Sequence, residues 1–166
     1  MKRGPATAAV LLVLTAVSAA AQDGVRRPSA GYAFNNPRLL TQQIIWGRLH
    51  GVRLLGLACQ ERDDRVAALA YVDWLDRQSS RIRAAGRDLA RHYFHRDTVS
   101  LAAIDAALNL KATLDTPGPE LRAACATLPA ALVAPRNDLE LYYSERREAI
   151  RRGDPEFPGA IWQETE

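Results

Sequence analysis

The chain has 166 residues and a formal net charge of +3, with 22 basic and 19 acidic side chains. A chain of this length is expected to form one domain with a substantial buried core. Nucleic-acid-binding proteins concentrate basic residues on one face. Here the basic residues are mixed with acidic ones and cluster no further than pairs such as Arg146-Arg147 and Arg151-Arg152. The charge pattern therefore argues against a nucleic-acid partner.

The N-terminal segment has the residue order of a secretory signal peptide. Lys2 and Arg3 precede an uncharged run over residues 6–17, and alanines at 19–21 provide the small residues that a signal peptidase reads. The run is shorter than the ~20 residues that span a bilayer, which favours cleavage over the alternative of an uncleaved anchor helix. Cleavage after Ala21 would leave no stable membrane span and place the protein in the periplasm or outside the cell.

Residues 22–35 carry glycine, proline and serine without a sustained apolar period, so they are expected to form a flexible mature N-terminus. Asn36 and Pro37 predict the start of the first helix and of a helical domain over residues 36–153, because asparagine caps a helix and proline suits its first position. This helix is expected to end near Gln60. Its apolar seam has steps of four and three residues. The predicted seam residues are Leu40, Ile44, Gly47, Gly51, Leu54 and Ala58.

A second helix of roughly 30 residues is expected to start at Asp63 or Asp64 and to be the longest element. Its apolar stripe also has steps of four and three residues. The predicted stripe residues are Tyr71, Leu75, Gln78, Ile82, Ala85 and Leu89. A further step of three reaches His92, which is therefore predicted to face the core. His95 is predicted to lie on a more polar edge.

Three shorter helices are predicted after the second. The third starts at Asp97 or Ser100, and the fourth follows a turn at residues 115–120 and is stopped or kinked by Pro129. The fifth starts near residue 137 and ends near residue 153, with residues 154–166 as a C-terminal tail. Alternating strand patterns are absent from the sequence. The fold class is therefore all-α, an antiparallel bundle of four to five helices.

Cys59 and Cys125 are the only cysteines in the chain. In an exported protein an even number of cysteines indicates a disulfide. The alternatives are a redox pair or two metal thiolates, but redox sites favour two cysteines separated by two residues. We therefore predict one disulfide, which joins the end of the first helix to the fourth.

Gly47, Gly51 and Gly56 lie inside the predicted first helix, and Gly47 and Gly51, with Trp46 and His50 beside them, form its least usual pattern. Glycine inside a helix costs up to ~1 kcal/mol relative to alanine. Because Gly47 and Gly51 are four residues apart, both lie on the same side of the helix and leave it without side chains there. We expect this face to pack closely against another helix, with a flat ligand as the alternative.

His92 and His95 are separated by three residues, whereas metal ligands on one helix are usually paired four apart or joined by a glutamate. The predicted second helix contains no glutamate. A metal site is therefore not favoured, and no cofactor is expected. The alternative is a metal or small-ligand site that uses His92 and His95, with His50 as a third group.

The chain lacks a G-x-S-x-G motif, a phosphate-binding loop and a haem-attachment motif. We therefore predict no catalytic residues and do not expect an enzyme. In the tail, Phe157, Ile161 and Trp162 are large apolar residues outside any helical period. They are expected either to fold back on the bundle or to form an exposed contact for a partner.

Together these features predict an exported protein that acts by binding another envelope or secreted protein. Inhibitors, immunity proteins, chaperones and adaptors are the classes that fit this description. The alternative is a periplasmic carrier of a metal or small ligand that uses the histidines. The sequence leaves the partner and the oligomeric state open.

Overall fold

The computed structural model describes residues 32–33 and 35–153. These residues form five α-helices and one short 3-10 helix, without any strand in the described ranges. The elements are α1 (Pro37–Glu61), α2 (Arg65–Phe94), α3 (Leu101–Ala107), α4 (Gly118–Val133), the 3-10 helix (Pro135–Asn137) and α5 (Leu139–Arg151). The all-α prediction is confirmed.

Side-chain caps define the starts of four helices. The side-chain oxygen of Asn36 accepts a hydrogen bond from the Leu39 N–H at 3.1 Å at the start of α1. Asp64, Ser100 and Asp138 make equivalent bonds at the starts of α2, α3 and α5. Each cap satisfies a backbone N–H that has no partner within its own helix. The predicted helix starts are confirmed at these positions.

The helices α1 and α2 form an antiparallel pair, because the turn at residues 62–64 reverses the chain. Gln42 near the start of α1 donates to Asp88 near the end of α2 at 2.8 Å. Gly56 near the end of α1 contacts Tyr71 near the start of α2. The helices α4 and α5 pack against both members of this pair, and α3 packs against α2.

The predicted stripe of α2 faces the core from Tyr71 to Leu89. The stripe includes a buried glutamine, Gln78, whose side-chain oxygen accepts a hydrogen bond from the Leu139 N–H at 2.9 Å. The Trp74 indole N–H donates to the Asn137 carbonyl at 2.8 Å. These two bonds attach the start of α5 to the middle of α2.

The seam predicted for α1 is correct at its start, where Leu40 is buried and Ile44 packs against the core, and wrong further along the helix. The buried residues include Ile45, Leu49, Gly56 and Cys59, whereas Gly51 of the predicted seam is exposed. A shift of one residue turns a seam by about 100° around a helix of 3.6 residues per turn. Because apolar residues lie next to each other in α1, the sequence allows both the predicted seam and one shifted by a residue. Packing against α2 selects the seam that is observed.

Cys59 and Cys125 form the predicted disulfide, with Cα atoms 5.6 Å apart. Both residues are buried, and the bond links the end of α1 to the middle of α4 across a sequence separation of 66. The disulfide prediction is therefore confirmed.

Of the stop and the kink predicted as alternatives at Pro129, the stop is wrong, because α4 continues to Val133. Proline removes a backbone N–H and normally ends or kinks a helix. Here Leu128 and Leu132, on either side of the proline, are buried in the core. Their burial keeps the last turn of α4 helical.

Candidate functional site

Four polar or aromatic side chains from α1 and α3 form a hydrogen-bonded group, which we call the α1–α3 cluster: Trp46, His50, Arg53 and Asp105. The three residues of α1 are spaced by four and three, so they lie on one side of the helix. Asp105 accepts from the Trp46 indole N–H at 2.9 Å and from Arg53, and its carboxylate lies 3.3 Å from Nδ1 of His50. One carboxylate of α3 therefore engages three groups of α1.

Both ring nitrogens of His50 have partners inside this cluster. Nε2 lies 2.7 Å from the carbonyl oxygen of Lys111, and Nδ1 lies 2.9 Å from Nη2 of Arg53. The tautomer with its proton on Nε2 satisfies both contacts, because Nε2–H donates to the carbonyl and Nδ1 accepts from the guanidinium. A metal bound to His50 would have to displace one of these bonds. The cluster is suited to positioning α3 and the loop after it.

His92 and His95 lie at the C-terminal end of α2, and both are exposed. The prediction that His92 faces the core is wrong: His92 is exposed and Tyr93 is the buried residue. His95 ends the helix in the left-handed conformation, with φ of 54°. Among the described residues, no three histidine, cysteine or carboxylate side chains come together as a possible metal-binding set.

The close helix contact lies at Gly56, not at the predicted face of Gly47 and Gly51. A Cβ atom at Gly56 would be 2.4 Å from Cγ of Tyr71, whereas a Cβ at Gly51 would have no neighbour within 4 Å. At Gly47 the nearest atom is the hydroxyl of Tyr32, at 3.9 Å. The close-packing prediction is therefore wrong for this pair. Sequence spacing alone did not distinguish an exposed glycine from one under an aromatic ring.

Two buried tyrosines have perturbed acidity. Burial raises the pKa of Tyr71, partly offset by the nearby Arg53 guanidinium. Burial also raises the pKa of Tyr93, partly offset by a hydrogen bond from Gln43, and Tyr32 raises it further. Both hydroxyls therefore stay protonated to a higher pH than an ordinary tyrosine hydroxyl.

The first two turns of α2 expose an apolar surface, which we call the outer face of α2: Val66, Leu69 and Val72. Their exposed fractions are 69%, 70% and 60%. Spacing of three residues places them on one side of the helix, opposite the buried Ala67 and Trp74. Sequence reasoning missed this face. A signal was present, because apolar residues recur in this segment outside the core stripe.

Several sequence predictions concern residues outside the described part of the chain. They concern the predicted signal peptide (residues 1–21), residues 22–31 of the predicted N-terminal segment, and the tail residues Phe157, Ile161 and Trp162. Among the described helices, none has both the length and the apolar character needed to cross a membrane.

The comparisons with known proteins found no relative. No protein-family model matches the chain, and no curated protein or solved structure matches it.

Proposed function

We propose that this protein is exported and acts by binding another envelope protein through the outer face of α2, rather than by catalysis. The observation that carries the proposal is the exposure of Val66, Leu69 and Val72 on one side of a helix. Single exposed apolar residues are common, but neighbouring ones on a rigid surface mark interaction sites. The opposite side of α2 is buried against the core, so this face cannot turn inward without disrupting the fold.

The chemistry of the surface specifies the kind of partner. Three apolar side chains along one side of a helix suit an apolar groove on the partner, as when an amphipathic helix binds in a groove of another protein. Asp76 borders the face along α2 and is exposed, as is Asp73, which pairs with Arg77. A complementary groove would therefore have an apolar floor and a basic side chain at its rim. The partner is proposed to be a different protein with such a groove.

Site-specific photocrosslinking in the producing cell tests this proposal. A photoreactive residue in place of Leu69 is expected to crosslink to one protein of defined mass. The same residue in place of Val133, which is 73% exposed on α4, is the matched control and is expected to give no such product. A product with twice the mass of this chain would identify a second copy instead. Equal products at both positions, or none at either, would also contradict the proposal.

The affinity for the crosslinked partner provides a quantitative test. Leu69→Gln is expected to weaken binding about tenfold or more, because burying a leucine at an interface contributes roughly 1.5–3 kcal/mol. Val133→Gln makes a similar polar change elsewhere and is expected to leave the affinity within about twofold. Calorimetric titration of each purified variant measures the difference. If both variants bind the partner equally weakly, the partner does not bind specifically at the outer face of α2.

Export is proposed from the residue order at the N-terminus and is supported by the disulfide between Cys59 and Cys125. Disulfides persist in oxidising compartments such as the periplasm and are rare in the cytosol. Intact-mass measurement of the protein purified from its producing cell is expected to give a chain that begins at Gln22. A mass that includes Met1, or recovery in the cytosolic fraction, would contradict export.

A further inference from the structure

A pocket of about 380 Å³ lies where α1, the 3-10 helix and α5 meet. Four arginines line it, and we call it the arginine pocket: Arg48 from α1, Arg136 from the 3-10 helix, Arg146 from α5, and Arg152, which directly follows α5. Among the described lining residues, Glu145 is the only acidic one, whereas Arg48, Arg136 and Arg152 are basic. The pocket therefore has a strong excess of positive charge, which favours an anion.

Contacts with neighbouring groups hold part of this pocket in place. Arg48 donates a hydrogen bond to the carbonyl oxygen of Arg136 at 2.6 Å. Its Cζ atom lies 4.2 Å from the centroid of the Tyr142 ring, and the Cζ of Arg146 lies 5.2 Å from the same centroid. A guanidinium held by a carbonyl and an aromatic ring loses less freedom when a ligand binds. It also has five N–H donors, so one bond to a carbonyl leaves others for a ligand.

The arrangement of donors indicates the class of anion. Arginine forks match the oxygens of phosphate and carboxylate groups. Here the arginines come from three separate elements, which favours a tetrahedral group that has oxygens in several directions over a planar carboxylate. We propose that the arginine pocket binds a phosphate group. This site uses α1, the 3-10 helix and α5, so it is separate from the outer face of α2 and independent of the function proposed above.

Titration of the full chain with inorganic phosphate at constant ionic strength, followed by calorimetry, tests the proposal. Saturable binding with a dissociation constant of about 1 mM or below is expected. Arg152→Gln and Arg136→Gln are each expected to weaken it about tenfold, since each removes a guanidinium from the lining. Arg151→Gln is the matched control, because Arg151 adjoins Arg152 but pairs with Glu148 outside this pocket. That control is expected to change the affinity less than about twofold.

Vesicles distinguish the two sources of a phosphate group. Binding to vesicles that contain phosphatidic acid, competed by inorganic phosphate and weakened by Arg152→Gln, would assign a lipid headgroup. Binding of inorganic phosphate without vesicle binding would assign a free phosphate compound. Both results support a phosphate site, and they differ only in the molecule that carries the phosphate group.

Three results would overturn the proposal. The first is no saturation up to about 10 mM phosphate, and the second is equal weakening by Arg152→Gln and Arg151→Gln, which would indicate unspecific attraction. The third concerns Asp154 and Glu156, which follow Arg152 closely in the sequence. If phosphate binds only to the Asp154→Asn/Glu156→Gln variant, the pocket is occupied by carboxylates of the chain itself and is not a phosphate site.

Discussion

The C-terminal end of α1 and its middle are held in place by different kinds of contact. At the C-terminal end, Cys59 is bonded to α4 and Gly56 allows the ring of Tyr71 to pack against the helix backbone. In the middle, Trp46 and Arg53 hold Asp105 of α3 through hydrogen bonds and charge. The first region depends on a covalent bond and on packing volume, and the second on polar partners. The two regions should therefore respond to different perturbations.

The helix attached by the α1–α3 cluster is short. It has seven residues, and isolated helices shorter than ~12 residues are marginal in water. Two of its residues, Ile104 and Ala107, are buried. Asp105 is therefore expected to matter mainly for the local stability of α3, whereas the contacts at the end of α1 matter for the whole bundle.

The largest expected effect is loss of the disulfide. Cys59→Ala/Cys125→Ala is expected to lower the free energy of unfolding by about 4 kcal/mol, because a loop of 66 residues is no longer closed in the unfolded chain. Urea denaturation measures this change. Reducing agent should destabilise the native protein and leave the double variant unchanged. A difference below about 1 kcal/mol would show that the bond does not constrain the unfolded state in this way.

Substitution of Gly56, which contacts Tyr71, is the second test of the C-terminal end of α1. Gly56→Ala is expected to lower the free energy of unfolding by about 2 kcal/mol, because a methyl group there overlaps the ring. Gly51→Ala is the matched control. It has open space and is expected to increase stability by about 0.5–1 kcal/mol through helix propensity. The same sign for both variants would contradict the packing described at Gly56.

The α1–α3 cluster predicts a smaller and more local effect. Asp105→Asn removes the charge that faces Arg53 and is expected to cost about 1–2 kcal/mol. Hydrogen exchange should become faster in α3 and stay unchanged around Cys59. Asp73→Asn, which breaks an exposed ion pair with Arg77, is expected to cost less than about 0.5 kcal/mol. Equal acceleration of exchange along the whole chain would contradict a local role.

The smallest effect concerns alkaline pH. Burial raises the pKa of Tyr71 above its ordinary value of 10.0. Above pH 10 the unfolded state therefore loses this proton before the folded state does, and stability decreases as the pH rises through the folded pKa. In Tyr71→Phe this decrease is expected to be shallower, with little change at neutral pH. Urea denaturation at a series of pH values measures it, and an unchanged slope would contradict the assignment.

Local signals predicted the helix starts and the core stripe of α2. Asn36, Asp64 and Ser100 cap helices through bonds that reach only three residues along the chain, so a short stretch of sequence is enough to identify them. The stripe of α2 was recognisable because polar residues flank it. In α1, adjacent apolar residues such as Leu54 and Leu55 made two seams possible, and beyond Ile44 the sequence pattern selected the wrong one.

The candidate sites were less predictable than the helices. The next buried residue after Leu89 is Tyr93, four positions further on, and not His92, three positions further on. The spacing of apolar residues in the sequence allows a step of either three or four. His50 was singled out as a neighbour of the two glycines. Its actual partners, Asp105 and the carbonyl of Lys111, lie far along the chain and have no signature near His50.

By itself, the amino-acid sequence determined the helical class, the capped starts of the helices and the presence of one cysteine pair, because these depend on neighbouring residues or on composition. Only the tertiary structure decided which side of α1 is buried, where a glycine is needed, and how Asp105 joins His50. It also brought Arg48, Arg136 and Arg152 to one pocket. These features depend on contacts between residues far apart in the chain, where periodicity and capping carry no information about which surfaces meet.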